Sequence, residues 1–159
     1  MSENPYAAPG AVLSDAPVTG SRRLYSPAQV AAGAFVGGPV GVIYFLWTNF
    51  RALANHRAAQ RTLMIGALLL IALSLVLPLL PEKFPSLPFT IAYVLVARHI
   101  AEKQQMTKQA ILESGDYTLY SNWRVFGLAL VCVVFSFVLM LAPLVVLATL
   151  GIWDPLGLI

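Results

Sequence analysis

The chain has 159 residues, 58% hydrophobic and only 11% charged, where a soluble domain carries roughly a quarter of charged residues. Its net charge of +3 comes from ten basic and seven acidic residues, an excess that in so apolar a chain sets membrane topology rather than binding nucleic acid. A single cysteine, Cys132, excludes an intramolecular disulfide and a cysteine-based metal site.

Residues 1–25 are rich in Pro, Ala, Gly and Ser, with Pro5, Pro9 and Pro17 and no apolar periodicity. They read as a disordered tail. No basic segment leads into an apolar one, so a cleavable signal peptide is not expected and the first span serves as targeting signal. Arg22-Arg23 closes the tail. Ser26-Pro27 then predicts a helix start, with a serine N-cap and proline at the first helical position, where no backbone donor is needed.

Residues 24–50 carry no charge, and Tyr44 and Trp47 stand near the far end. Within the run lie Gly33, Gly37, Gly38, Pro39 and Gly41. The pairs Gly33/Gly37 and Gly37/Gly41 are spaced i,i+4, a groove where another helix packs closely. Pro39 removes the bond to the Phe35 carbonyl, so a kinked span with a small-residue packing face is predicted. The alternative is a re-entrant hairpin turning at Gly37-Gly38-Pro39, allowed only where protein covers the turn.

Residues 51–61 are short and basic, with Arg51, Arg57, Arg61 and His56, and residues 62–81 form a second charge-free run long enough to span. Gly66 and Ala67 give that run a small face, and Pro78 kinks or ends it. A tight turn follows at Pro81-Glu82-Lys83-Phe84-Pro85. The next charge-free run, 84–97, would extend only about 21 Å as a helix. Helical character continues through Glu102, Lys103, Lys108 and Glu113 to Gly115, predicting one long helix, half in the membrane and half amphipathic at its surface. Arg98 would snorkel to the headgroups. After a polar and aromatic loop at 116–122, residues 125–153 contain no Asp, Glu, Lys or Arg and are bounded by Trp123-Arg124 and Trp153-Asp154. An aromatic and a charge at each end anchor a membrane span.

The expected fold is therefore an all-α integral membrane protein. After the tail (1–25), one domain (26–159) holds about four transmembrane helices, near 27–50, 62–80, 86–101 and 124–150, the third short and extended into an amphipathic surface helix. Positive charge in short loops marks the cytoplasm. With four crossings, Arg51, Arg57, Arg61, Arg98, Lys103, Lys108 and Arg124 oppose Arg22, Arg23 and Lys83. With three crossings and a shallow third segment the count is again seven to three. With a re-entrant first run, nine basic residues oppose Lys83 alone. Four crossings are the preferred reading, since residues 51–61 abut two spans, and the re-entrant form is its competitor.

No acidic residue or lysine lies inside the three long runs, which argues against an ion-coupled transporter. Ser74, Ser136 and Thr149 are expected to bond their own helix carbonyls at i−4, and Cys132 to act as a small hydrophobe. Pro143 kinks or ends the last helix. His56 and His99 each neighbour an arginine and read as interfacial. Nucleophile, phosphate-loop and metal-binding motifs are missing from the sequence, so no enzyme and no cofactor is expected.

Leu24-Tyr25-Ser26-Pro27, Gly37-Gly38-Pro39, Asn49-Phe50-Arg51-Ala52-Leu53, Ser121-Asn122-Trp123-Arg124 and the opening Asn4-Pro5-Tyr6-Ala7-Ala8-Pro9 together resemble a loose group of small bacterial multi-span membrane proteins without an assigned function. Where that group often has a Gly-Gly turn, this chain has Glu113-Ser114-Gly115. The resemblance implies a bacterial inner membrane, multi-pass, and no activity. The functional expectation is a non-enzymatic accessory, regulatory or immunity-type subunit that packs with the lipid bilayer and with itself or another membrane protein. Gly33, Gly37, Gly38, Pro39 and Gly41 would form its helix contact. Trp47, Arg51, Arg57, Arg61, Arg98, Trp123, Arg124 and Trp153 would anchor it at the interfaces. A channel built on the Gly37-Gly38-Pro39 break, or a surface sensor using the basic helix 98–113, are the alternatives.

Overall fold

The computed structural model describes residues 22–76 and 87–150. Their elements in order are β1 (Arg22–Leu24), α1 (Pro27–Ala52), α2 (His56–Val76), α3 (Leu87–Gln104), α4 (Lys108–Glu113), β2 (Tyr117–Leu119) and α5 (Asn122–Thr149). α1, α2 and α5 are long and apolar enough to cross a membrane by length and composition. α3 carries Arg98, Glu102 and Lys103 in its last two turns.

α1 begins as its sequence dictates. The Ser26 hydroxyl accepts from the Gln29 amide at 3.3 Å, and the Gln29 Oε1 accepts from the Ser26 amide at 3.0 Å. This reciprocal pair satisfies two donors that a helix start leaves open. The helix does not continue straight. At Gly38 the backbone takes φ 64° and ψ −156°, a region essentially reserved for glycine, and Pro39 follows with no amide to offer.

The chain then returns along itself. In a straight helix Tyr25 and Asn49 would stand about 36 Å apart, yet the Tyr25 amide donates to Asn49 Oδ1 at 2.8 Å. Arg22 likewise donates to the Ala52 carbonyl at 3.2 Å. A Cβ placed on Gly41 would stand 2.5 Å from the Gly33 carbonyl oxygen, so the two halves pack backbone to backbone. The preferred expectation of a kinked span is thereby corrected. Residues 27–37 and 39–52 form a helical hairpin, each arm about 16–21 Å long and short of the ~30 Å hydrocarbon core.

The other helices wrap this hairpin. α5 runs beside the first arm, turning Val125, Ala129, Cys132 and Ser136 inward at helical spacing. α2 meets the second arm where Gly66 faces Ile43, and α3 buries Ala97 and Ala101. Small residues thus make up much of the core, and they let the helix backbones approach closely. The outward faces are leucine-, valine- and phenylalanine-rich, with Leu68, Ile91 and Phe137 all more than half exposed.

Two further expectations change. Residues 22–25 are not tail: β1 pairs in parallel with β2, Arg22 opposite Tyr117, and the Tyr120 amide extends the ladder to the Leu24 carbonyl at 3.1 Å. The helix expected to run unbroken to Gly115 is split after Gln104, because Thr107 caps α4 by accepting from the Ala110 amide. The tail before residue 22, Pro78, the turn at 81–85, Lys83 and Trp153 lie outside the described residues.

Candidate functional site

Both ends of α1, the start of α2, the end of α3, the start of α5 and the strand pair converge on one end of the bundle. There they gather the described basic residues: Arg22, Arg23, Arg51, Arg57, Arg61, Arg98, Lys103, Lys108 and Arg124.

This end is built on a buried polar knot. Asn49 is 1% exposed. Besides accepting from the Tyr25 amide it donates to the Tyr25 carbonyl and to Gln105 Oε1, both at 2.8 Å. Gln105 in turn donates to the Leu46 carbonyl at 3.1 Å. One side chain thereby ties the strand–helix junction, the returning arm and the end of α3. Gln29 ties the fourth element, donating to the Tyr120 carbonyl and Asn122 Oδ1 at 2.8 Å each.

An aromatic column stands beside the knot. Tyr25 meets Phe45 edge-on at 4.8 Å and stacks on Tyr120 at 4.4 Å. The Arg124 guanidinium lies 4.7 Å above the Tyr120 ring, a cation on a π face. Burial pushes the Tyr25 hydroxyl up to about 12, and the nearby Arg124 lowers it only in part. The hydroxyl is buried with no well-formed hydrogen bond.

The opposite tip of the hairpin is closed by one residue of α5. The Ser136 hydroxyl donates to the Gly37 carbonyl at 2.9 Å and accepts from the Val40 amide at 3.4 Å. It does not bond at i−4 as expected, because the turn offers it groups with no helical partner. Ser74 does bond at i−4, to Leu70, and Thr149 at i−3, to Val146.

The five helix-packing positions are thus occupied within the chain. Gly33 faces Phe45, Gly41 faces Gly33, and Gly37 lies against Ala129 and Cys132, whose Cβ would come within 2.9 Å of an added methyl. Pro39 is buried, and a Cβ on Gly38 would meet Ser136. Among the interface positions, Trp47 is half-buried under the Arg51 guanidinium at 5.1 Å. Arg98 pairs with Glu102 at 2.8 Å, and Trp123 is 83% exposed. Arg57 and Arg61 are exposed, as are His56 and His99. Among the described residues no three His, Cys, Asp or Glu side chains gather as a metal site would require.

Two clefts open at the charged end. One, of about 640 Å³, runs between the first arm of α1 and the start of α5, from Lys108, Ser121 and Asn122 down to Val36 and Ala129. The second, of about 410 Å³, shares Ser26, Ala28 and Lys108 with it and adds Arg98, Glu102, Lys103 and Thr107. Neither is lined by the turn at Gly37-Gly38-Pro39. Asn49, Gln29, Gln105 and Ser136 were not singled out as organising residues. Asn49 had a signal, since a primary amide inside an apolar run is costly unless partnered.

The chain matches no protein family, no curated protein and no solved structure.

Proposed function

We propose that this is a non-enzymatic, multi-pass membrane protein in which α2, α3 and α5 cross and α1 re-enters, with the basic end in the cytoplasm. The observation that carries the reading is the gathering of nine arginines and lysines at one end of an otherwise apolar bundle. Positive charge flanking spans is retained on the cytoplasmic side, and a bacterial inner membrane is the setting implied by the resemblance above. The protein acts as an accessory module of the cytoplasmic leaflet, engaging anionic headgroups through its basic end.

A channel built on the hairpin turn is less well supported. The Gly37 carbonyl and Val40 amide, which an unwound substrate site would need, are already engaged by Ser136.

Impermeant-reagent labelling tests the placement in a Cys132→Ala background. Single cysteines at Ala7, Ala54 and Gln109 are expected to be protected on intact cells, and those at Ser86 and Leu158 labelled. Label at Ala7 with protection at Ala54 would restore four crossings. For the functional reading, thermal stability in vesicles should rise with added phosphatidylglycerol and lose that gain as salt rises. Equal melting in purely zwitterionic vesicles would sink it.

A further inference from the structure

The cleft between α1 and α5 has two chemistries in one enclosure. Its lower walls are Ala28, Ala32 and Val36 on one helix and Val125, Phe126 and Ala129 on the other, apolar over the roughly 12 Å that eight helical residues span. Its mouth carries Lys108, Ser121 and Asn122. Lys108 has no carboxylate partner within ion-pair distance among the described residues. Asn122 is held by its oxygen, which accepts from Gln29, leaving its amide hydrogens for a ligand. Ala28 and Ala32 on one wall and Phe126 on the other are exposed, so the cleft is open along its apolar walls. The adjoining cleft adds Arg98 and Lys103 against one acid, Glu102.

We propose that this cleft holds one anionic phospholipid of the cytoplasmic leaflet, its phosphate at Lys108, Ser121 and Asn122 and one acyl chain between Ala32 and Phe126. Charge decides the occupant. A second copy inserted in the same orientation would bring its own basic end against this one, whereas an anionic headgroup neutralises the mouth. The small residues of α1 leave the width that a chain of methylenes fills. This assignment rests on the proposed membrane placement and deepens it from general headgroup contact to one stoichiometric site.

Native mass spectrometry of the full-length protein, released from detergent with phosphatidylglycerol or phosphatidylcholine added, tests the site. One phosphatidylglycerol adduct is expected to saturate. Ala32→Trp, which fills the cleft from an exposed position, should abolish it, while Met64→Trp on the outer face of α2 should leave it intact. Lys108→Gln should lower occupancy about fivefold, the weight of one basic residue at a membrane surface. An adduct surviving Ala32→Trp would overturn the proposal. So would equal retention of phosphatidylcholine, equal competition by glycerophosphate alone, or a dimer peak that Ala32→Trp removes. If Ala32→Trp loses nothing yet salt-sensitive stabilisation by anionic vesicles persists, the site fails and the broader reading stands.

Discussion

α1 and α2 are close in length and both apolar enough to cross a membrane, but they meet opposite fates. In the most apolar stretch of α1, 44% is buried inside protein, against 17% for α2. The difference lies in which apolar residues each uses. α1 uses glycine and alanine along much of its length, with one proline in its interior, and folds back and is enclosed. α2 turns Leu68, Leu69 and Ile71 outward, bulky apolar side chains that no other described part of the chain covers. Hydropathy reports whether a segment prefers to leave water. The share of small residues reports whether it will face protein or lipid.

The sharpest way to break this contrast is to give α1 a single methyl. Gly41→Ala places a carbon against the Gly33 carbonyl, with backbone on both sides and nothing able to swing away. We expect at least about 3 kcal/mol of destabilisation, the upper end of overpacking costs. Gly127→Ala on α5, where nothing lies within 4 Å, should be neutral or gain up to about 1 kcal/mol of helix propensity. Thermal melts of the two variants in one detergent compare them directly; equal midpoints would show that the arms do not pack as described.

A second comparison sets two serines of the long apolar helices against each other. Ser136→Ala should cost about 1–3 kcal/mol, because a turn carbonyl is left without a donor away from water. Ser74→Ala removes a bond to a carbonyl already served by its own helix and should cost less than about 0.5 kcal/mol. Comparable losses would mean that Ser136 does not close the turn.

The last effect is one of pH and is silent at neutrality. The Tyr25 hydroxyl is neutral when protonated, and its folded-state value of about 12 lies above the ordinary 10.0. The stability this protects is complete below pH 10 and drains away as pH climbs from 10 toward 12. At about 1.4 kcal/mol per pH unit, at most roughly 3 kcal/mol is at stake across that window. Tyr25→Phe should melt like the parent at pH 7 and hold more of its stability above pH 10. Parallel pH profiles of the two proteins would refute the burial of that hydroxyl.

What the residues disclosed, and what they withheld, follows the range of the physics involved. Charge-free runs and the Ser26-Pro27 cap are local signals, and they led to three long apolar helices and the start of α1. The hairpin was present in Gly37-Gly38-Pro39 as an alternative, but local chemistry allows both a kink and a reversal. Deciding between them takes Ser136, 99 positions away, whose default within its own helix is a bond at i−4. β1 was invisible for the same reason, since three residues pairing across more than ninety positions leave no periodicity. Thr107 was the exception, a threonine with N-cap character inside a stretch whose other residues favour helix.

The span between the hairpin and the groups that close it also dictates an order of events. When α1 leaves the ribosome, its turn partner Ser136 and the Gln29 partners Tyr120 and Asn122 have not yet been made. Bare turn carbonyls are not tolerated in lipid. On the membrane placement proposed above, the hairpin therefore waits in a watery or protein-lined setting, or as a transient straight span, until most of α5 exists. α1, made before the other described helices, then reaches its final place only together with α5.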